Sequence, residues 1–318
     1  MKPSMADEND PLVAKAPVET PAPSHRLLGL SLVAFSAVTF SLMTSGIKFE
    51  SAYMTSMETM FWRSCIGWLL NLTTIFATRT TIHVDADLVP YIVFRCLVGF
   101  GSTALCFWTI SQMALADASC IIFINPVLTF LLGAVFLGEH LNALDFSLAL
   151  VSFGGVVCVA RPTFLFGHTD DTTRGSDYAV VGGLVSASCQ AMAYITLRKT
   201  KAVDPLVMIH YFLLSGMLGA ASWIAFFQLV YTLEKSLKAW AICIGTGVLG
   251  FVGQVALTKG FQLEKAGIAS MMRYLDIVLV FIWDSVLLKE PINLWSVAGA
   301  LIILSSAIGI AVHRAHST

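Results

Sequence analysis

After a polar, proline-bearing start, the chain is a succession of ten apolar blocks separated by short polar connections. The blocks fall near residues 27–47, 55–78, 88–112, 115–138, 142–161, 177–198, 206–231, 239–262, 265–288 and 292–313. A helix needs roughly 20 apolar residues to cross a bilayer, and its backbone groups must be satisfied inside the segment. Each block therefore predicts one membrane-spanning helix, and the expected fold class is all-α integral membrane with ten transmembrane helices. Residues 1–26 carry Pro3, Pro11, Pro17, Pro21 and Pro23 among acidic and small residues. Such a segment buries too little apolar area to offset its ordering entropy, so a disordered cytosolic tail is expected there. The longest connection, residues 162–176, holds Gly167, His168, Asp170, Asp171 and Arg174 and divides the spans into two groups of five. Residues 314–318 are read as a short C-terminal tail.

Composition narrows the classes. Of 318 residues, 57% are hydrophobic and 12% charged, with a mean hydropathy of +0.79. Soluble domains carry about a quarter charged residues, and a water-soluble fold of this length could not hide so much apolar surface. The 19 Lys and Arg against 20 Asp and Glu leave no basic excess for a phosphate backbone, which excludes nucleic acid as a partner. The seven cysteines sit inside apolar blocks without a C-x-x-C pair, so neither a metal nor a disulfide framework is expected. Gly245 to Gly250 spells G-x-G-x-x-G, but inside an apolar block, where small residues serve helix packing rather than a dinucleotide. No cofactor is expected. Neither H-E-x-x-H nor G-x-S-x-G occurs, and Asp276 and Asp284 share one helix rather than facing each other from two, so an enzyme is not expected. With the amino terminus in the cytosol, nine Lys and Arg near span ends lie inside and six outside. That asymmetry places both termini in the cytosol, in the plasma membrane or an endomembrane.

The halves repeat. Ala118-Ser119 to Leu137-Gly138-Glu139 lies on Ala269-Ser270 to Leu288-Lys289-Glu290 at a constant shift, which sets Asn125 opposite Asp276. Five spans per half is an odd number, so the second half enters the membrane from the opposite side. Inverted repeats of this kind place a binding site near the midplane and support alternating access. The expected units are residues 27–161 and 177–313.

Several stretches carry a family resemblance: Ala114-Leu-Ala-Asp-Ala-Ser119, Asn125-Pro126, Leu137-Gly-Glu139 and Arg161-Pro162 in the first half. Gly253-Gln254, Gly260-Phe-Gln-Leu-Glu-Lys-Ala-Gly267, Arg273-Tyr-Leu-Asp276 and Leu288-Lys-Glu290 follow in the second. In order and spacing these resemble the EamA-type branch of the drug/metabolite transporter superfamily, and are most similar to eukaryotic solute carrier family 35, subgroup G. The resemblance covers residues 27 to 313. It implies two inverted five-helix repeats and metabolite or nucleotide-sugar-like cargo, with an organic anion expected for the subgroup. Pro126 has no counterpart in the ninth span, where Asp276-Ile277 falls, so the proline kink is not duplicated.

Ionisable residues inside a bilayer are costly and normally face a cavity or a partner. Arg273 and Asp276, three apart, share a helix face, and Asp284 lies farther along it. Substrate-binding candidates are Arg273, Asp276, Asn125, Arg95 and Arg63; coupling or gating candidates are Glu58, Asp284, Pro126 and His210. A structural ion pair is the competing reading for Arg273 and Asp276, a tolerated kink for Asn125-Pro126, and water contact at the interface for Glu58 and His210. Glu58 and Arg63 lie about 140° apart around their helix and are not expected to pair. Lys259 is expected to snorkel. Glu139 and Glu290 are expected to meet free amides at the start of the next helix. Together these residues point to a secondary active transporter or exchanger of a small polar organic anion. A membrane scaffold or regulatory binding protein without flux is the alternative, separable by vesicle uptake. The sequence sets no oligomeric state; a homodimer is one option.

Overall fold

The structure, a computed structural model, describes residues 23–50, 53–113, 115–139, 142–162, 165, 177–228, 237–287 and 294–316. These form α1 (Pro23–Glu50), α2 (Ser56–Thr78), α3 (Val89–Gln112), α4 (Leu115–Ile122), α5 (Asn125–Leu137) and α6 (Ala143–Ala160). There follow α7 (Asp177–Lys199), α8 (Pro205–Trp223, prolonged by a π-helical stretch Ile224–Gln228), α9 (Leu237–Leu263) and α10 (Ala266–Met271). A 3-10 turn (Met272–Tyr274), α11 (Leu275–Leu287) and α12 (Leu294–His316) complete the chain. Helix α1 already includes Pro23 to Arg26, and α12 runs beyond residue 313 to His316. Residues 1–22, Glu290 and most of 162–176 lie outside the described residues.

Local chemistry sets the helix ends. The Thr55 hydroxyl accepts from the Glu58 amide at 3.3 Å while the Thr55 amide donates to Glu58 Oε2 at 3.0 Å, a reciprocal cap that starts α2. Asp204 accepts from the Leu206 amide at 2.8 Å ahead of Pro205, and Asn142 from the Leu144 amide at 3.2 Å. Gly138 ends α5 at φ 63°, a left-handed conformation that costs a glycine little.

Nine segments among the described residues are long and apolar enough to cross a membrane. They correspond to nine of the ten predicted blocks. The exception is α2, a 23-residue helix whose Glu58, Arg63, Asn71 and threonines dilute its apolar content. It packs against α8 and α9 rather than standing apart.

The fourth and ninth blocks are interrupted helices. Pro126 does not kink a continuous helix: it lies in the first turn of α5, where its missing N–H has no helical partner to lose. The ninth block breaks without a proline, at the 3-10 turn. On the constant shift of the repeat, Ile122 falls on Arg273 and Asn125 on Asp276, so the two breaks coincide in register.

The most extensive pairings are α1 with α9, α3 with α7, α6 with α12 and α2 with α8. The α6–α12 crossing depends on glycine at both sides. A Cβ on Gly299 would stand 2.5 Å from the Gly155 carbonyl oxygen, and one on Gly155 would stand 2.8 Å from that of Gly299. Buried hydroxyls bond back into their own helices, as from Ser36 to Val33 and from Thr196 to Met192. Lys259 is exposed on α9, as snorkelling requires. All seven cysteines are free.

Candidate functional site

The two breaks lie against each other. The Ser270 hydroxyl donates across to the Pro126 carbonyl at 3.2 Å, and Phe123, Leu275 and Ile277 pack against one buried cluster that contains Tyr274 and Val278. Their approach depends on Gly267, where a Cβ would stand 2.5 Å from Phe130 Cδ2 and 3.0 Å from its backbone. In the fourth span, Asn125 turns its amide nitrogen back to the Ile122 carbonyl at 3.0 Å, which caps the broken end of α4. Its Oδ1 is buried with no hydrogen-bond partner among the described residues.

In the ninth span, Arg273 Nη2 meets Asp276 Oδ2 at 2.7 Å, with side chains only 14% and 11% exposed. The pair expected from spacing is thus formed, and it faces the protein rather than lipid. The guanidinium carbon lies 4.8 Å from the ring centre of Phe40 on α1, a cation–π arrangement. Arg273 Nη1 and Asp276 Oδ1 remain buried without hydrogen-bond partners among the described residues, each directing polar capacity into the interior.

Arg95 on α3 is 3% exposed, with its guanidinium 4.6 Å from the ring centre of Phe212. No carboxylate pairs with it among the described residues, and its Nε lacks a hydrogen-bond partner there. Tyr194 on α7 stands close to both Arg95 and Arg273 and stacks on Phe261 at 4.4 Å. This tyrosine is buried and was not singled out by sequence, since an aromatic in an apolar block reads as core.

Arg63 lies one step farther along the same seam. Its Nη1 is 3.5 Å from Met43 Sδ, and the carboxylate that acts on it electrostatically is Glu50. Glu50 is 1% exposed, and its Oε1 accepts from the Thr246 hydroxyl at 2.5 Å. It too was missed, because the apolar block was closed at residue 47 while the helix runs three residues on.

The remaining candidates are placed differently. The Glu58 carboxylate is engaged with the Thr55 amide at its own helix start. His210, 9% exposed, packs between Trp68 and Tyr211 rather than at a wet interface. The side chain of Asp284 lies outside the described residues. Glu139 does meet a free helix-start amide, but that of Ala266 on α10 at 3.1 Å, not the helix that follows it in sequence. Arg198 stands 3.5 Å from the same carboxylate and donates to the Gln262 carbonyl at 2.5 Å, tying α7, α9 and α10 to the end of α5. Burial pushes the Glu139 carboxyl up from the ordinary carboxylate range, opposed by Arg198 and the Ala266 amide. Among the described residues, no cluster of three or more His, Cys, Asp or Glu could hold a metal. Of the five glycines from Gly245 to Gly260, Gly247, Gly250, Gly253 and Gly260 abut α1 or α2, which is helix packing.

Comparison with known proteins agrees with this architecture. The EamA-like transporter family matches residues 27–161 and 177–312. The pseudopaline exporter CntI of Pseudomonas aeruginosa is 29% identical over 283 residues, covering 89% of this chain and 95% of that protein. Solute carrier family 35 member G1 of Homo sapiens is 26% identical over 301 residues, covering 90% and 80%. A crystal structure superposes with a TM-score of 0.74 over 92% of this chain and 98% of its own, at 18% identity, which is a likeness of fold. Transporters, not enzymes, are what family and relatives have in common. Nine apolar membrane-length helices among the described residues and matches over both halves make this chain an integral, multi-pass member of the EamA-like transporter family.

Proposed function

We propose that the protein is a secondary active transporter of a small organic anion, worked by alternating access between two inverted five-helix units. The units are residues 27–161 and 177–313, with α2 as the tenth span and both termini in the cytosol. Exchange symmetry among the helix pairings supports the inversion. Swapping each span with its counterpart turns the α1–α9 pairing into α7–α3, and returns α2–α8 and α6–α12 to themselves. The coincident breaks in the fourth and ninth spans supply interrupted helix ends at the midplane, a feature of transporter sites.

The observation that carries the anion reading is Arg95, a buried guanidinium with no carboxylate partner among the described residues. The charge of Arg273 is already offset by Asp276 at 2.7 Å, so Arg95 leaves the Tyr194 region with a net positive charge. An unpaired buried charge is costly, and an anion entering beside it recovers the missing interaction. In this mechanism Arg95 attracts the anionic group, Tyr194 and Asn125 orient it, and the Arg273–Asp276 pair fixes the ninth-span half-helices around it. Release to the opposite side follows when the two units exchange their packing.

Counterflow into proteoliposomes, with a panel of labelled carboxylates, phosphates and nucleotide sugars, tests this. Wild-type protein should accumulate at least one anion. Arg95→Ala should lower transport efficiency on the order of 100-fold, the scale of losing a partner from a buried charge pair, and Arg95→Lys less. Undiminished anion flux in Arg95→Ala would overturn the assignment.

A further inference from the structure

A second ionic cluster sits one turn beyond the Arg273 region along the α1–α9 seam. A Cβ at Gly253 would stand 3.1 Å from Phe40, the ring beneath Arg273. At Gly250 it would stand 3.2 Å from Met43 Sδ and 3.5 Å from Arg63 Cδ. Farther along α1 comes Glu50, 1% exposed. Its Oε1 accepts from Thr246 at 2.5 Å, while its Oε2 is buried with no hydrogen-bond partner among the described residues. The groups facing it are Arg63 and Thr59 of α2, and Thr246 and Cys243 of α9. Arg63 acts on it electrostatically, yet the two do not form an ion pair; the guanidinium rests instead against Met43.

We propose that Glu50 is the proton-carrying carboxylate of this transporter, and that its protonation releases Arg63 to bind the travelling anion. The inference rests on the anion-transport reading above. With Glu50 ionised, its charge and that of Arg63 offset each other, and this pair adds no attraction to that of Arg95 for an arriving anion. A proton taken up at Oε2 removes the negative charge. Arg63 is then a desolvated cation without a counter-charge, within one turn of the Arg273 region, and the anion supplies that charge. Proton and anion therefore occupy the protein together, and deprotonation of Glu50 on the other side returns Arg63 to its first partner and expels the anion. One proton enters and one leaves per cycle, bound only at Glu50. Neither Glu58, engaged in its helix cap, nor His210, packed between aromatic rings, has this arrangement.

Two measurements test it. Infrared spectra of purified, lipid-reconstituted protein without substrate, titrated with pH, should contain a protonated-carboxyl band that Glu50→Gln removes. Thr246→Val, which takes away the hydroxyl donor to Oε1, should move the midpoint of that band to higher pH. In proteoliposomes, an inwardly directed proton gradient should accelerate anion uptake several-fold in wild type, and residual uptake by Glu50→Gln should not respond. A band unchanged in Glu50→Gln, or a gradient response equal to wild type, overturns the proposal. Because the band is read without substrate, its loss in Glu50→Gln supports the site independently of flux. Failure of wild type to move any anion counts against the transport reading instead.

Discussion

The fourth and ninth spans break at the same register and with opposite chemistry. One is broken at Phe123-Ile124, just ahead of the neutral Asn125-Pro126; the other at Met272–Tyr274, which holds Arg273 of the ion pair and has no proline at all. Proline is therefore not the common cause. What the breaks share is each other: Ser270 reaches the Pro126 carbonyl, and Gly267 lies on the face of Phe130. The interruption belongs to the crossing of two half-helix pairs, and the residues around it are free to differ. That freedom puts the charge on one side only.

The harshest way to break this comparison is to make the ninth span neutral on one side only. Asp276→Ala leaves Arg273 buried beside Phe40 without its counter-charge, and thermal unfolding should report a loss of about 3–5 kcal/mol. The double variant Arg273→Met, Asp276→Leu should recover most of that stability, because neither buried charge remains. If the double variant is as unstable as the sum of its parts, the pair is not a closed electrostatic unit.

Gly267→Ala attacks the crossing itself. The added methyl meets Phe130 at 2.5 Å, and overpacking of this kind costs about 1–3 kcal/mol. Smaller still is Pro126→Ala, expected to change stability by less than about 1 kcal/mol, since the residue occupies a first-turn position. Hydrogen exchange sharpens the comparison here. The Phe123 and Ile124 amides already donate to Ser119 and Ile121, so the readout is the amide that the substitution creates at position 126: it should exchange readily, whereas strong protection there would mean that α4 and α5 had fused and that proline held them apart.

The finest effect concerns Glu139, which bridges the end of the fourth span to the start of the ninth. Its folded carboxyl titrates above the ordinary value because of burial, so the folded protein holds that proton more tightly than the unfolded chain. The stabilisation is complete below the ordinary carboxylate value and is lost as pH rises through the raised one. Glu139→Gln should flatten that part of the pH profile of thermal unfolding; an unchanged slope would place the titration elsewhere.

Apolar blocks of spanning length were enough to locate the helices, because a bilayer demands uninterrupted apolar runs whatever the tertiary packing. The same logic explains α2, whose polar residues face α8 and α9 and so thin its apolar signal without shortening the helix. The Arg273–Asp276 contact was legible too, since a three-residue spacing on a helix fixes neighbours locally. Glu50, Tyr194 and Thr246 were not. Their roles arise from partners 13 to 196 positions away, and nothing in an apolar block distinguishes a tyrosine that meets two arginines from one that fills a core. The register of the repeat could be read from spacing alone, but not the break in the ninth span, where no residue announces one.

The amino-acid sequence determined the class, the helices, the family and the pairing within the ninth span, all of which depend on composition or on contacts within a few residues. Only the tertiary structure decided which arginine lacks a counter-charge among the described residues, which carboxylate faces Arg63 and which helix Glu139 caps. Those outcomes follow from helices distant in the chain meeting across glycine seams, and electrostatic partnership in a low-dielectric interior is a property of that meeting rather than of any one segment.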